Sequence, residues 1–153
     1  VSWKISGYQV KRKEFEQCIR ENTLIETGIE DFSMAKELLA LAEHREEFWN
    51  SIKEKSKAFP SLFLEGHYEI VKELCTAILV VDGWKALSHE CLFSYLKQQK
   101  DLEIDFDYLL ELKDLRNSID YRGAKVGPDI WKKNEMKIKV TIRALKEYLG
   151  KSL

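Results

Sequence analysis

The chain has 153 residues, 44% of them hydrophobic and 33% charged, with a formal net charge of −1. That balance excludes intrinsic disorder, and the near-zero charge gives no global pull toward nucleic acid or acidic membranes. A domain of this size buries roughly 70% of its unfolded surface, so its core requires neither a metal nor a disulfide staple. Two prolines and seven glycines are too few for an all-β domain, which needs turn signals about every 8–12 residues. The expected class is therefore all-α: an up-and-down bundle of about five helices plus an N-terminal helix. Residues 1–28 read as an N-terminal helical extension, and residues 29–153 as the bundle.

In chain order, an amphipathic segment near residues 9–22 uses Phe15, Cys18 and Ile19. Gly28 precedes Asp31 and Ser33, either of which can cap a helix running to about Lys57. Ala35, Leu38, Leu39 and Ala42 keep helical spacing, extended by Trp49 and Ile52. Pro60 is expected to stop this helix, with Ser61 capping the next. That next helix carries Ile70, Val71, Leu74, Ala77, Ile78 and Val81 on one wide face, the pattern of a central, heavily buried element.

Asp82-Gly83 signals a stop and a turn, and a shorter helix is expected from about Trp84 to Gln99. Asp105 can cap a further long helix with Tyr108, Leu112, Leu115 and Ile119 in one row. Gly123–Pro128 is the clearest loop. The last helix opens near Asp129 with Trp131, Ile138, Ile142, Leu145 and Leu149 in register. Charge is uneven along this half. Residues 101–123 carry seven acidic against three basic side chains, and residues 124–153 three against eight.

Cys18, Cys75 and Cys91 are odd in number and lack metal-ligand spacing, so they read as small buried hydrophobes of a reducing, cytoplasmic setting. No apolar run reaches the roughly 18–20 residues of a membrane span, and the N-terminal stretch has no signal-peptide core. A membrane partner is not expected.

Standard catalytic and phosphate-loop motifs are absent. His44, His67 and His89 share no stripe with carboxylates or cysteines that would build a metal site, and His89 in SHECLF reads first as a packed or capping residue. Glu37, Glu43, Glu46 and Glu47 lack the Glu-x-x-His spacing of bundle metal centres. No metal and no cofactor are expected.

The densest polar cluster is LRNSIDYRG, residues 115–123. On a helix Asp114, Asn117 and Tyr121 share one face, and Arg116 and Asp120 share the next at i, i+4. Arg116, Asn117, Asp120, Tyr121 and Arg122 thus crowd donors into one and a half turns. Arginine offers a rigid fork suited to phosphate, and asparagine both donates and accepts. The plainer reading is a surface Arg116–Asp120 pair at a helix end.

This cluster, together with GHYEIVKELCTAILVVDGWKALSHECL at residues 66–92, resembles the HEPN-domain family, in particular its small archaeal-type members. With the flanking helices the resemblance covers roughly residues 30–150. It implies an all-α bundle, commonly a homodimer, in a family of RNA-cleaving toxins and nucleotide-binding modules. Active members carry Arg-x(4–6)-His, two copies of which face each other across the dimer. Arg116 and Asn117 match, but the histidine position falls on Tyr121, Arg122 or Gly123.

A tyrosine of ordinary pKa near 10 is only about one part in a thousand ionised at pH 7, which makes it a poor general base. Tyr121 can still hydrogen-bond or stack on a base, worth ~1–3 kcal/mol in single-strand sites. The first expectation is therefore a HEPN-like protein that binds RNA or a nucleotide at Arg116, Asn117, Asp120, Tyr121 and Arg122, with Lys125 assisting, at a dimer interface. The second is a toxin-type endoribonuclease with Arg116 on the scissile phosphate and His89 or Tyr121 as its partner. The third is a non-catalytic interaction module, or the partner of a small nucleotidyltransferase-type protein.

Overall fold

A computed structural model describes residues 13–153, and the part of the expected N-terminal segment before Lys13 lies outside the described residues. The elements are α1 (Phe15–Arg20), β1 (Leu24–Glu26), α2 (Phe32–Ser51), a single 3-10 turn (Lys53–Lys55), α3 (Pro60–Val81), β2 (Trp84–Ala86), α4 (His89–Lys97), α5 (Phe106–Arg122) and α6 (Pro128–Gly150). The architecture is a helical bundle with one small two-stranded sheet. None of its helices is long and apolar enough to cross a membrane, among the described residues.

The central helix is α3. Thirteen of its 22 residues are buried, so it is apolar almost all round, as its sequence pattern requires. Both α2 and α6 pack along it, and α4 and α5 cover its remaining flank. The Lys146–Glu46 ion pair, at 2.9 Å, bridges α6 and α2. Gly66 is what lets α2 approach so closely: a Cβ there would overlap the indole of Trp49.

Helix starts follow local chemistry. The side chain of Asp31 accepts from Met34 N at 2.9 Å, and that of Asp105 from Tyr108 N at 3.0 Å, each satisfying a backbone donor that the first turn leaves open. Two expected boundaries are corrected. The helix expected to reach Lys57 ends at Ser51 and passes into the 3-10 turn. Pro60 does not stop a helix but opens α3, where its missing N–H costs nothing and its fixed φ suits the first turn. Ser61, expected as a cap, accepts instead from Val126 N at 3.2 Å and so anchors the α5–α6 loop.

The largest departure lies at residues 84–88, expected to be helical. Trp84–Ala86 is a strand that pairs antiparallel with β1, in the register Leu24↔Ala86, Ile25↔Lys85 and Glu26↔Trp84. Ser88 then caps α4 by accepting from Cys91 N at 3.1 Å. Gly83, at φ +79°, makes the turn that an L-residue would resist.

The reading of three free cysteines is also overturned. Cys18 and Cys91 form a disulfide that joins α1 to α4, and only Cys75, buried in α3, stays free. With that, the cysteine argument for a reducing setting lapses. The same end of the bundle is held by Lys13 N donating to Glu90 Oε1 at 2.8 Å, by Ser94 Oγ donating to Lys13 O, and by Phe15 against Trp84 and Tyr95.

Candidate functional site

The polar cluster at the end of α5 is positioned by the apolar row below it. Tyr108, Leu112 and Leu115 are buried against the core, and Arg116 reaches across to Glu69 and Tyr68 of α3. Gly123 ends the helix in the left-handed conformation at φ +63°, and Ala124 N closes it on Ser118 O at 3.1 Å.

Arg116 is the hub. Its Nε lies 3.0 Å from Asp120 Oδ2, its Nη2 is 3.4 Å from Glu69 Oε1, and its Nη1 donates to Asn117 Oδ1 at 3.3 Å. The guanidinium carbon stands 5.8 Å from the centroid of the Tyr68 ring, within cation–π range. Glu69 also holds Lys72 at 2.8 Å. The expected Arg116–Asp120 pair is thus one edge of a larger network, whose other members are Asn117 on α5 and Tyr68, Glu69 and Lys72 on α3.

Tyr68 extends the network to α4. Its ring is wholly buried, and its hydroxyl lies 2.8 Å from His89 Nδ1. Burial pushes the Tyr68 phenol well above its ordinary range, so it stays a neutral hydrogen-bonding group. Burial, then the positive charges of Lys72 and Arg116, hold His89 below the usual histidine value, which keeps its imidazole neutral at pH 7. Burial, then the neighbouring Asp120 carboxylate, pushes Glu65 upward.

The structure therefore brings Arg116, Asn117, Asp120 and His89 into one constellation, with His89 linked to Arg116 through Tyr68. It does not bring Tyr121 there. Five residues along a helix rotate a side chain by about 140° from its starting direction, and Tyr121 is 78% exposed. Arg122 and Lys125 are likewise exposed at the helix end and in the loop. Sequence reasoning missed Glu65, Tyr68, Glu69 and Lys72. Their signal was present as a polar stripe at i, i+4 and i+7 (Glu65, Glu69, Lys72) on an otherwise apolar helix.

Chemically, the cluster pairs a half-buried guanidinium with a neutral imidazole across an aromatic ring, ringed by carboxylates. His89 and Lys72 also line an apolar cavity of about 640 Å3, walled by Leu79, Trp84 and Leu92. Among the described residues no group of three or more His, Cys, Asp or Glu is placed to hold a metal.

The depressed His89 and His67 values carry a pH consequence. A histidine held low when folded binds fewer protons folded than unfolded, so its stability contribution is present above about pH 6.5 and is lost as pH falls through the folded value. Glu65 and Glu73, pushed upward by burial, act in the opposite sense above about pH 4.5. Urea midpoints compared at pH 7.5 and 5.5 should therefore fall less in His89→Asn than in the unsubstituted protein. Equal falls in both would contradict the assignment.

No family model, no curated protein and no solved structure matches the chain.

Proposed function

We propose that this chain is a HEPN-like helical protein that binds the phosphate of RNA or of a nucleotide at Arg116, with Asn117, Tyr68 and His89 completing the site. The observation that carries the reading is the meeting of a guanidinium and a neutral imidazole on one buried tyrosine, drawn from three different helices. The fork of N–H donors on the guanidinium suits phosphate oxygens. Asp120 then has a different role from the ligand contact expected of it. Its carboxylate occupies the Arg116 fork at 3.0 Å and competes with an incoming phosphate. The neighbouring cavity supplies room for a base beside His89. Tyr121 and Arg122, exposed at the helix end and outside the cluster, lie on a surface that a second copy of the chain would meet in a homodimer.

Ribonuclease activity is the second reading, favoured by the neutral His89, which can accept a proton at pH 7. An intracellular setting goes with either reading, while the Cys18–Cys91 bond weighs against a reducing one. The test is binding of a labelled single-stranded RNA and of ATP at low salt, with the same RNA followed for cleavage. Saturable binding that falls about tenfold, or ~1.4 kcal/mol, in Arg116→Ala supports the site. Cleavage lost in His89→Ala with binding retained selects the ribonuclease. Absence of binding in the unsubstituted protein leaves the cluster as a scaffold for an interface or a nucleotidyltransferase-type partner, and the proposal fails.

A further inference from the structure

A second cavity, of about 610 Å3, opens between α2, α3 and α6, away from the Arg116 cluster. Its size is that of ordinary small-molecule sites, which run from roughly 300 to 1,000 Å3. Its floor is aromatic. Trp49 and Phe63 stand 4.9 Å apart between centroids, Phe63 and Trp131 5.7 Å, and His67 lies 4.6 Å from Trp131. Phe63 and Trp131 are almost sealed, whereas Trp49 is half-buried and offers its ring to the cavity.

Among these rings sits a polar atom with nothing to bind. His67 is only 7% exposed, and its Nδ1 is 2.7 Å from Phe63 O, a carbonyl that can only accept. Nδ1 therefore carries the proton and Nε2 is a bare acceptor. Nε2 has no hydrogen-bond partner among the described residues, yet it is not among the sealed polar atoms, so it faces the cavity. Burial holds the imidazole below its ordinary pKa, which preserves that lone pair at neutral pH.

The rim supplies charge. Two of its ion pairs, Lys146–Glu46 and Lys139–Glu135, are internally balanced. What remains is Glu43, Glu47 and Glu147 against Lys53 and Arg143, an excess of one negative charge. A ligand matched to this lining brings an N–H for His67, a positive charge for the carboxylates and ring faces, and an apolar body for the floor.

We propose that the cavity binds an organic ammonium ion bearing at least one N–H, which donates to His67 Nε2 while Trp49 and the carboxylates of Glu43, Glu47 and Glu147 hold its charge. Gly66 belongs to this site as a positioning residue, because it seats Trp49 against α3. The site is independent of any phosphate binding at Arg116.

The test is calorimetric titration with spermidine, which carries N–H on every ammonium, and with tetramethylammonium, which carries none. One spermidine per chain is expected at salt of about 0.15 M, where long-range attraction is screened. His67→Phe should weaken spermidine about tenfold, as the loss of one charge-assisted hydrogen bond does, and leave tetramethylammonium unchanged. The Glu43→Gln/Glu47→Gln variant should weaken both cations. In the unsubstituted protein the His67 Nε2 nitrogen resonance should move on adding spermidine, a readout that requires no variant to fold. No saturable binding, equal spermidine affinity in His67→Phe, or an unmoved Nε2 resonance overturns the proposal.

Discussion

Reduction of the Cys18–Cys91 bond should lower the stability of the protein by about 4 kcal/mol, because the bond closes a loop spanning 73 residues and removes that entropy from the unfolded chain. For a chain of this length the loss corresponds to a fall in Tm of roughly 10–15 °C. The fold should survive it. The contacts of Lys13 with Glu90 and Ser94, and the packing of Phe15 on Trp84 and Tyr95, hold the same junction without the sulfurs. Thiol counting checks the pairing directly. No thiol should react in the native protein, since Cys75 is wholly buried and burial pushes its thiol far above the ordinary range. One should react in denaturant without reductant, and three after reduction. Three reactive thiols in denaturant alone would show that the bond does not form.

Gly66→Ala is expected to destabilise, although helix propensity alone argues the reverse. Alanine within a helix is favoured over glycine by about 1 kcal/mol. Against this gain stands the Trp49 indole, which occupies the space the new methyl would need. Because α3 is fixed by its buried residues, the indole has to leave. Complete loss of a buried Trp costs roughly 3–5 kcal/mol, and Trp49 is only half-buried, so a loss of about 2 kcal/mol stands against the gain and a net loss of about 1 kcal/mol is expected. A denaturant midpoint at or above that of the unsubstituted protein would contradict the close approach of α2 to α3. The fluorescence of Trp49 should also shift toward that of a solvated indole.

What the sequence disclosed follows the range of the interactions concerned. Asp31 and Asp105 were legible as caps because a cap acts within three residues of itself. The wide apolar face of α3 was legible because period alone marks a helix that is buried all round. Strand β2 was not, since Trp84–Ala86 is too short to alternate and its partner Leu24–Glu26 lies about sixty residues earlier. The disulfide was hidden for the same reason: spacing along the chain says nothing of Cys18 meeting Cys91. Within the site, the Arg116–Asp120 edge was readable as an i, i+4 pair. Glu69 and Tyr68 reach Arg116 only through the packing of α3 against α5, and His89 only through Tyr68. Tyr121 follows Arg116 closely in sequence, yet the rotation of the helix carries it to solvent.

If Arg116 is, as proposed, a phosphate ligand held in reserve by Asp120, two substitutions should act with opposite signs. Single-stranded RNA affinity, followed by anisotropy over a salt series, should fall about tenfold in Arg116→Ala, with a salt slope smaller by about 0.7 for the one lost phosphate contact. In Asp120→Asn the same measurement should show tighter binding, because the guanidinium then has only the more distant Glu69 carboxylate, at 3.4 Å, to displace. A scaffold in which Arg116 serves only Asp120 and Glu69 predicts otherwise: RNA affinity absent, or unmoved by either substitution, would overturn the phosphate site.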